Sequence, residues 1–146
     1  MFILTENIIS EVEIREWKIK YSAPSVGAAV SFEGIVRNHN EGKAVSSLEY
    51  QAYPEMASKV GNQILEKAKN LFQVTDLFCV HRTGHLQVGE IAVWVLATSS
   101  HRRDSFLACE YIINEVKKLV PIWKKEHYVH ATADWIACHH CMELHE

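Results

Sequence analysis

The chain has 146 residues, 48% of them apolar and 23% charged, with a net charge of −3. This is one domain's length with enough apolar surface for a core, and its mild acidity argues against general nucleic-acid binding. Apolar runs such as "IAVWVLA" are too short to span a bilayer, and "MFILTENIIS" has neither a basic n-region nor a cleavage signature, so the expectation is a cytoplasmic protein without a signal peptide.

In chain order, residues 2–5 ("FILT") are predicted as a short edge strand. Ser10 is expected to cap a helix through "EVEIREWKIKY", although Val12, Ile14, Trp17 and Ile19 make no single apolar stripe. "SAPSVG" is a turn-rich break. "GAAVSFEGIV" (27–36) alternates as a strand, with Ala28, Val30, Phe32 and Val36 on one face. Gly34 within it marks a bulge or a close backbone approach. "RNHNEGK" (37–43) is a polar loop that turns at Asn40-Glu41-Gly42. "VSSLEYQAY" (45–53) then sets Leu48, Tyr50 and Ala52 against Glu49, Gln51 and Tyr53.

Pro54 sits at the first position of a predicted helix whose stripe is Met56, Val60, Ile64, Leu71 and Phe72. "VTDLFCVHR" (74–82) is a strand, "GHLQVGE" a connection turning at Val88-Gly89, and "IAVWVLAT" (91–98) a strand covered on both faces. A helix follows from Arg102 to Leu119, with Phe106, Cys109, Ile113, Val116 and Val120 along its stripe. Pro121 ends it, because the ring clashes with the carbonyl of Lys117 and donates no N–H. "IWKKEHYV" is extended and "ADWIA" a last short strand. Interspersed strands and helices without repeats or linkers predict a single α+β domain over 1–146, with 137–146 as a tail.

Four places carry candidate chemistry. In "TSSHRRDSF" a buried strand delivers the chain to a helix N-terminus, where free N–H groups favour an anion. His101, Arg102 and Arg103 stand at the end where the helix dipole disfavours cations, so they either hold a phosphate or carboxylate or pair with Asp104 and Glu110. In "VRNHNEGK", Arg37 and His39 follow a strand end, where functional side chains are common, although a plain hydrophilic hairpin has the same composition. In "VKKLVPIWKKE", Lys117 and Lys118 suit a helix C-terminus, whereas Lys124 and Lys125 flank the packed Trp123. Lysines clustered against an apolar wall are suited to acid, base or nucleophile work. "CHHCMELHE" offers Cys138, Cys141, His139, His140 and His145, but one CxxC without a second ligand pair is a weak zinc signal. His81 and His85 are four apart but span Gly84 in a strand-to-turn region, which makes a zinc pair improbable there. Cys79 and Cys109 fall in apolar patterns and read as small buried hydrophobes.

Four segments in order, "GAAVSFEGIVRNHNEGK", "LEYQAYPEMA", "HRTGHLQVGEIAVWV" and "SSHRRDSFLACEYIINEVKKLVPIWKKE", resemble the large, catalytic subunit of molybdopterin synthase from about residue 27 to Trp135. The most specific elements are "VRNHN" and the two lysines that bracket "PIW". The resemblance implies an α/β hammerhead-type fold with a mixed, mostly antiparallel sheet. It also implies a sulfurtransferase that converts cyclic pyranopterin monophosphate to molybdopterin in molybdenum cofactor biosynthesis. The sulfur would come from the C-terminal Gly-Gly thiocarboxylate of a small ubiquitin-like partner subunit. The assembly would be a heterotetramer built on a central homodimer of large subunits, with no cofactor or metal of its own.

Carried over residue by residue, the resemblance makes Lys117 and Lys124 the catalytic pair. Lys117 would lie near the incoming tail, and Lys124 would act on the pterin side with Lys125 and Glu126 beside it. Arg37, His101 and Arg102 match anion-binding positions, and Phe32 lies near the pocket; a bulge at Gly34 would reconcile Phe32 with Arg37. Arg103 and the Cys/His tail match nothing in the family pattern. The rival readings are a metal-binding protein built on that tail and a non-catalytic relative that only binds the partner.

Overall fold

The computed structural model describes residues 1–129 and the backbone of Trp135–Ala137. Twelve elements follow in order: β1 (Phe2–Thr5), α1 (Glu11–Lys20), β2 (Ala28–Ile35), β3 (His39–Asn40), β4 (Lys43–Ala52), α2 (Pro54–Leu71), β5 (Asp76–Arg82), β6 (Gly84–Gln87), β7 (Ile91–Ser99), α3 (Arg102–Leu119), β8 (Ile122–Tyr128) and β9 (Trp135–Ala137). The predicted α+β class stands. The single expected sheet divides into two: one of four strands in the order β1-β5-β7-β2, and one of five in which β4 pairs with β3, β6 and β8, and β8 with β9. Among the described strand pairs only β1 with β5 is parallel. No described helix is long and apolar enough to cross a membrane.

β7 is buried from Ala92 to Ser99 because helices cover both faces of its sheet. On one side α2 and α3 pack their small and branched residues, among them Ala57, Ile64, Leu65, Ala108, Ile112 and Val116, against Cys79, Val93 and Val95. On the other, Ile14 and Trp17 of α1 cover Phe78, Val80, Trp94 and Leu96. Trp17 stacks on Trp94 with ring centroids 5.5 Å apart, while Val12 and Ile19 stay exposed, so α1 is anchored by two large side chains and not by a stripe. Ser10 caps it as expected: its hydroxyl accepts from Glu13 N–H at 3.2 Å, and the Glu13 carboxylate accepts from Ser10 N–H at 3.1 Å.

Three expectations need correction. The buried face of α2 is Ala57, Gly61, Ile64, Leu65 and Ala68, whereas Met56 and Leu71 are exposed. Small residues let this helix lie close to β1: a Cβ on Gly61 would stand 2.2 Å from the Phe2 ring. On α3, Phe106 is exposed, and Ser105, Ala108 and Ile112 take the buried face beside Cys109 and Val116. The connection "GHLQ" is a strand, β6, which adds to β4 before the turn at Val88-Gly89, where Gly89 adopts a positive φ of 91°.

Candidate functional site

Lys117 and Lys124 belong to different elements that Pro121 joins. α3 ends with the N–H of Val120 donating to Val116 C=O, and β8 starts at Ile122 and pairs antiparallel with β4. Lys117, in the last turn of α3, is half-buried while Lys118 is exposed, which separates two neighbours that helix-end position alone left equivalent. Lys124 lies across from Tyr50 and Glu126 across from Leu48, so alternation turns Lys124 and Glu126 to the face that Lys117 also meets. Together they line a cavity of about 170 Å³ with Arg37, His39 and Asn40, walled by residues including Val36, Leu48, Tyr50 and Val93.

Two local devices bring "VRNHN" to this cavity. The pairing of β2 with β7 slips between Gly34 and Ile35, the expected bulge, and a side chain at Gly34 would meet Val93 Cγ1 at 2.6 Å. Beyond it, Val36 is buried and the chain doubles back: His39 and Asn40 pair with Ala44 and Lys43 around Glu41 and Gly42, both at positive φ. The predicted loop is thus a tight hairpin, β3 to β4.

Glu126 organises the polar side of the cavity. Its carboxylate accepts from Asn40 Nδ2 at 3.0 Å to each oxygen and from Tyr128 O–H at 2.6 Å, and it pairs with Lys124 Nζ at 2.9 Å. Burial pushes the Glu126 carboxyl up, but the hydrogen bonds from Tyr128, Lys124 and Asn40 and the Lys124 charge outweigh it and hold the group below its ordinary value. Asn40 also accepts from Arg37 Nη2 at 3.3 Å, so one network runs from Arg37 to Lys124. Sequence reading missed the parts played by Asn40 and Tyr128. Their signal was the positive-φ turn that aims Asn40, and the period of two that puts Tyr128 on the face of Lys124 and Glu126.

Behind the cavity His81 is fully buried in edge-on contact with Tyr50, its Nδ1 2.7 Å from Arg82 C=O. Burial and then the Lys117 charge push its pKa down to about 3, so this imidazole is neutral at physiological pH. Arginine, two lysines and a histidine against one carboxylate make the cavity an anion site with proton donors at its wall.

Four of the expected residues do not line it. Lys125 alternates to the opposite face of β8, across from Glu49. Phe32 lies in a separate groove with Phe106 and Ile113, between β2 and α3. His101 and Arg102 are exposed at the N-terminus of α3, the far end of that helix from Lys117. Among the described residues neither Arg102 nor Arg103 forms an ion pair with Asp104 or Glu110; Asp104 instead accepts Gln73 N–H at 3.3 Å. Cys79 and Cys109 are buried free thiols whose pKa burial raises, which leaves them inert as nucleophiles. A grouping of three metal-capable donors, Glu49, His85 and His127, lies outside this cavity. The Cys138, His139, His140, Cys141 and His145 motif lies outside the described residues.

A family profile described as MoaE protein matches residues 5–119. The chain belongs to the MoaE family. It is 45% identical over 105 residues to the molybdopterin synthase catalytic subunit of Pyrococcus abyssi, covering 72% of this chain and 71% of the relative. The crystal structure of molybdopterin synthase from Staphylococcus aureus superposes with a TM-score of 0.83 at 36% identity, covering 92% of this chain and 96% of that one. A Helicobacter pylori complex of subunits 1 and 2 of molybdopterin-converting factor superposes at 0.76 with 21% identity over 92% of this chain and 88% of that one; its likeness is one of fold. The activity of this MoaE chain is that of a molybdopterin synthase catalytic subunit, an enzyme of molybdenum cofactor biosynthesis. The MoaE match contains Lys117 and ends before Lys124.

Proposed function

We propose that the cavity binds the anionic end of a cyclic pyranopterin monophosphate and the C-terminal thiocarboxylate of a small ubiquitin-like subunit, and that sulfur passes from the second to the first. The observation that carries this reading is the meeting of Lys117, Lys124 and Arg37 around one buried, hydrogen-bonded carboxylate. The thiocarboxylate sulfur attacks a side-chain carbon of the pterin and displaces the oxygen that carbon carries, which leaves protonated. Water then cleaves the acyl–sulfur bond, the sulfur stays on the pterin as a thiolate, and the partner leaves as a carboxylate. A second thiocarboxylate repeats the step at the neighbouring carbon. Both anions need cations, and the developing oxyanion needs a donor. Lys117 serves the tail and acyl release, Lys124 the pterin, and the charge of Glu126 holds Lys124 in place. The tail of the partner thus has to reach the end of α3.

His101, Arg102 and Phe32 enter through a second copy of the chain. Fifteen residues of helix separate Arg102 from Lys117, about 22 Å, so one chain does not bring both to one anion. The β2 edge that does not face β7 connects the two ends: Ala28 lies across from Ser99, near His101, and Gly34–Ile35 borders the cavity. Two copies set antiparallel along β2 would lay one copy's α3 N-terminus beside the other's cavity. Exposed Phe32 and Phe106 supply apolar surface on that side.

The test mixes the chain with thiocarboxylated small subunit and the cyclic pterin and measures molybdopterin. Lys117→Ala should lower the rate about 100-fold or more while leaving fold and partner binding intact. Wild-type turnover by that variant overturns the assignment.

A further inference from the structure

The face of β4, β6 and β8 that points away from the cavity carries a second set of chemistry. Glu49 stands on the middle strand, His85 lies directly across from it on β6, and His127 lies diagonally from it on β8. Glu49 Oε1 is 3.8 Å from His85 Nε2, and Glu49 Oε2 is 3.6 Å from His127 Nε2. The two imidazoles are nearly parallel, at 27°, with centroids 6.0 Å apart. One donor atom from each of the three residues lies within 4.8 Å of the others.

Histidine–carboxylate ion pairing does not fully explain this cluster. At 3.6 Å the Glu49 oxygen is beyond hydrogen-bond reach of His127. His127 Nε2 is buried and has no hydrogen-bond partner among the described residues. A buried ring nitrogen left without a partner is unfavourable, and a cation between the three donors removes that penalty. We propose that Glu49, His85 and His127 form a site for a divalent transition-metal ion of the zinc class, on the sheet face opposite the pterin cavity.

The donor chemistry selects the ion. Two imidazole nitrogens and one carboxylate suit zinc and its neighbours, and they disfavour magnesium and calcium, which take oxygen shells. Tetrahedral zinc with bonds near 2.0–2.1 Å sets its ligands about 3.3 Å apart, so the three donors, now within 4.8 Å of one another, must draw together, and one imidazole must turn out of the near-parallel stack. His85 has the most room to swing, since its side chain is 68% exposed, and solvent on that side supplies the fourth ligand as water. Lys125, across from Glu49 on the same face, competes for the carboxylate and moderates the affinity. A bound ion would tie three neighbouring strands together at the back of the element that carries Lys124 and Glu126.

The test uses the full chain with Cys138→Ser, His139→Ala, His140→Ala, Cys141→Ser and His145→Ala, so that the C-terminal motif contributes no ligands. Zinc titrated calorimetrically into this protein should bind at one ion per chain and raise the melting temperature, whereas magnesium should do neither. His127→Ala, His85→Ala and Glu49→Gln, each in that background, should weaken zinc at least about tenfold. His85→Ala changes an exposed side chain, so a fold defect cannot stand in for lost ligation. Cobalt bound at this site in the tail-substituted chain should show visible d–d bands without a thiolate charge-transfer band in the near ultraviolet, and His85→Ala should remove them. Absence of zinc binding in the tail-substituted chain, or binding indifferent to His85→Ala and Glu49→Gln, overturns the proposal.

Discussion

A carboxylate that is only 3% exposed persists because it is paired, and Glu126 shows how. Its partners come from its own strand (Lys124, Tyr128) and from the β3 hairpin (Asn40), so it measures whether the cavity is assembled. Glu126→Gln keeps the shape and removes the charge. It should cost about 1.5–3 kcal/mol of stability and lower turnover, because Lys124 then swings away; chemical denaturation and molybdopterin formation report the two effects separately. Because the folded pKa of Glu126 is depressed, its contribution is present above the ordinary carboxylate value and is lost as pH falls below it. His81 has the same sign. Its pKa falls from 6.5 to about 3 on folding, so its share is full above pH 6.5 and drains away as pH drops toward 3. The urea midpoint should therefore decline steadily from pH 7 to pH 4, and a flat profile would contradict the neutral, buried His81.

Elements are held by small residues where helices approach strands. Gly61 has no space for a methyl group, since a Cβ there would stand 2.2 Å from the Phe2 ring. Alanine gains roughly 1 kcal/mol of helix propensity but overpacks the α2–β1 contact by about 1–3 kcal/mol, so Gly61→Ala should lower the melting temperature despite the better helix former. This contact also explains what the sequence hid. α3 was legible from Arg102 to Leu119 because Pro121 punctuates it, and β7 because an unbroken apolar run needs cover on both sides. The buried face of α2 was not, because Ala57, Gly61 and Ala68 carry little hydrophobic signal and do their packing by being small. β6 was not, because four residues between glycines read as a turn until β4 is there to pair with them. In the site, residue types and their places pointed to Arg37 and Lys124, and the family resemblance added Lys117 and Glu126. The facing of Lys125 depends on register, which only the pairing with β4 fixes.

At the scale of the whole molecule, the expected anion-binding groups sit at two ends of α3, and one chain holds one end at its cavity. If a second copy completes each site, two inactive variants should repair one another. Mixed dimers of a Lys117→Ala chain with a His101→Ala/Arg102→Ala chain contain one site with every group intact. They should regain a rate approaching half that of wild type per mixed dimer, where either variant alone is inactive. If each chain supplied all its own groups, every site in the mixture would lack one set and no activity would return.

The strand β8 carries two unlike surfaces on alternate residues, Lys124 and Glu126 on one and Lys125 and His127 on the other. The interval from Lys117 to Lys124 is therefore subject to a parity rule. An odd insertion after Pro121 exchanges the two surfaces and brings Lys125 and His127 to the cavity, unless it is looped out as a bulge. An even insertion preserves which residues face inward and changes only their height along the strand. Evolutionary drift in this segment is thus expected to move in steps of two or not at all.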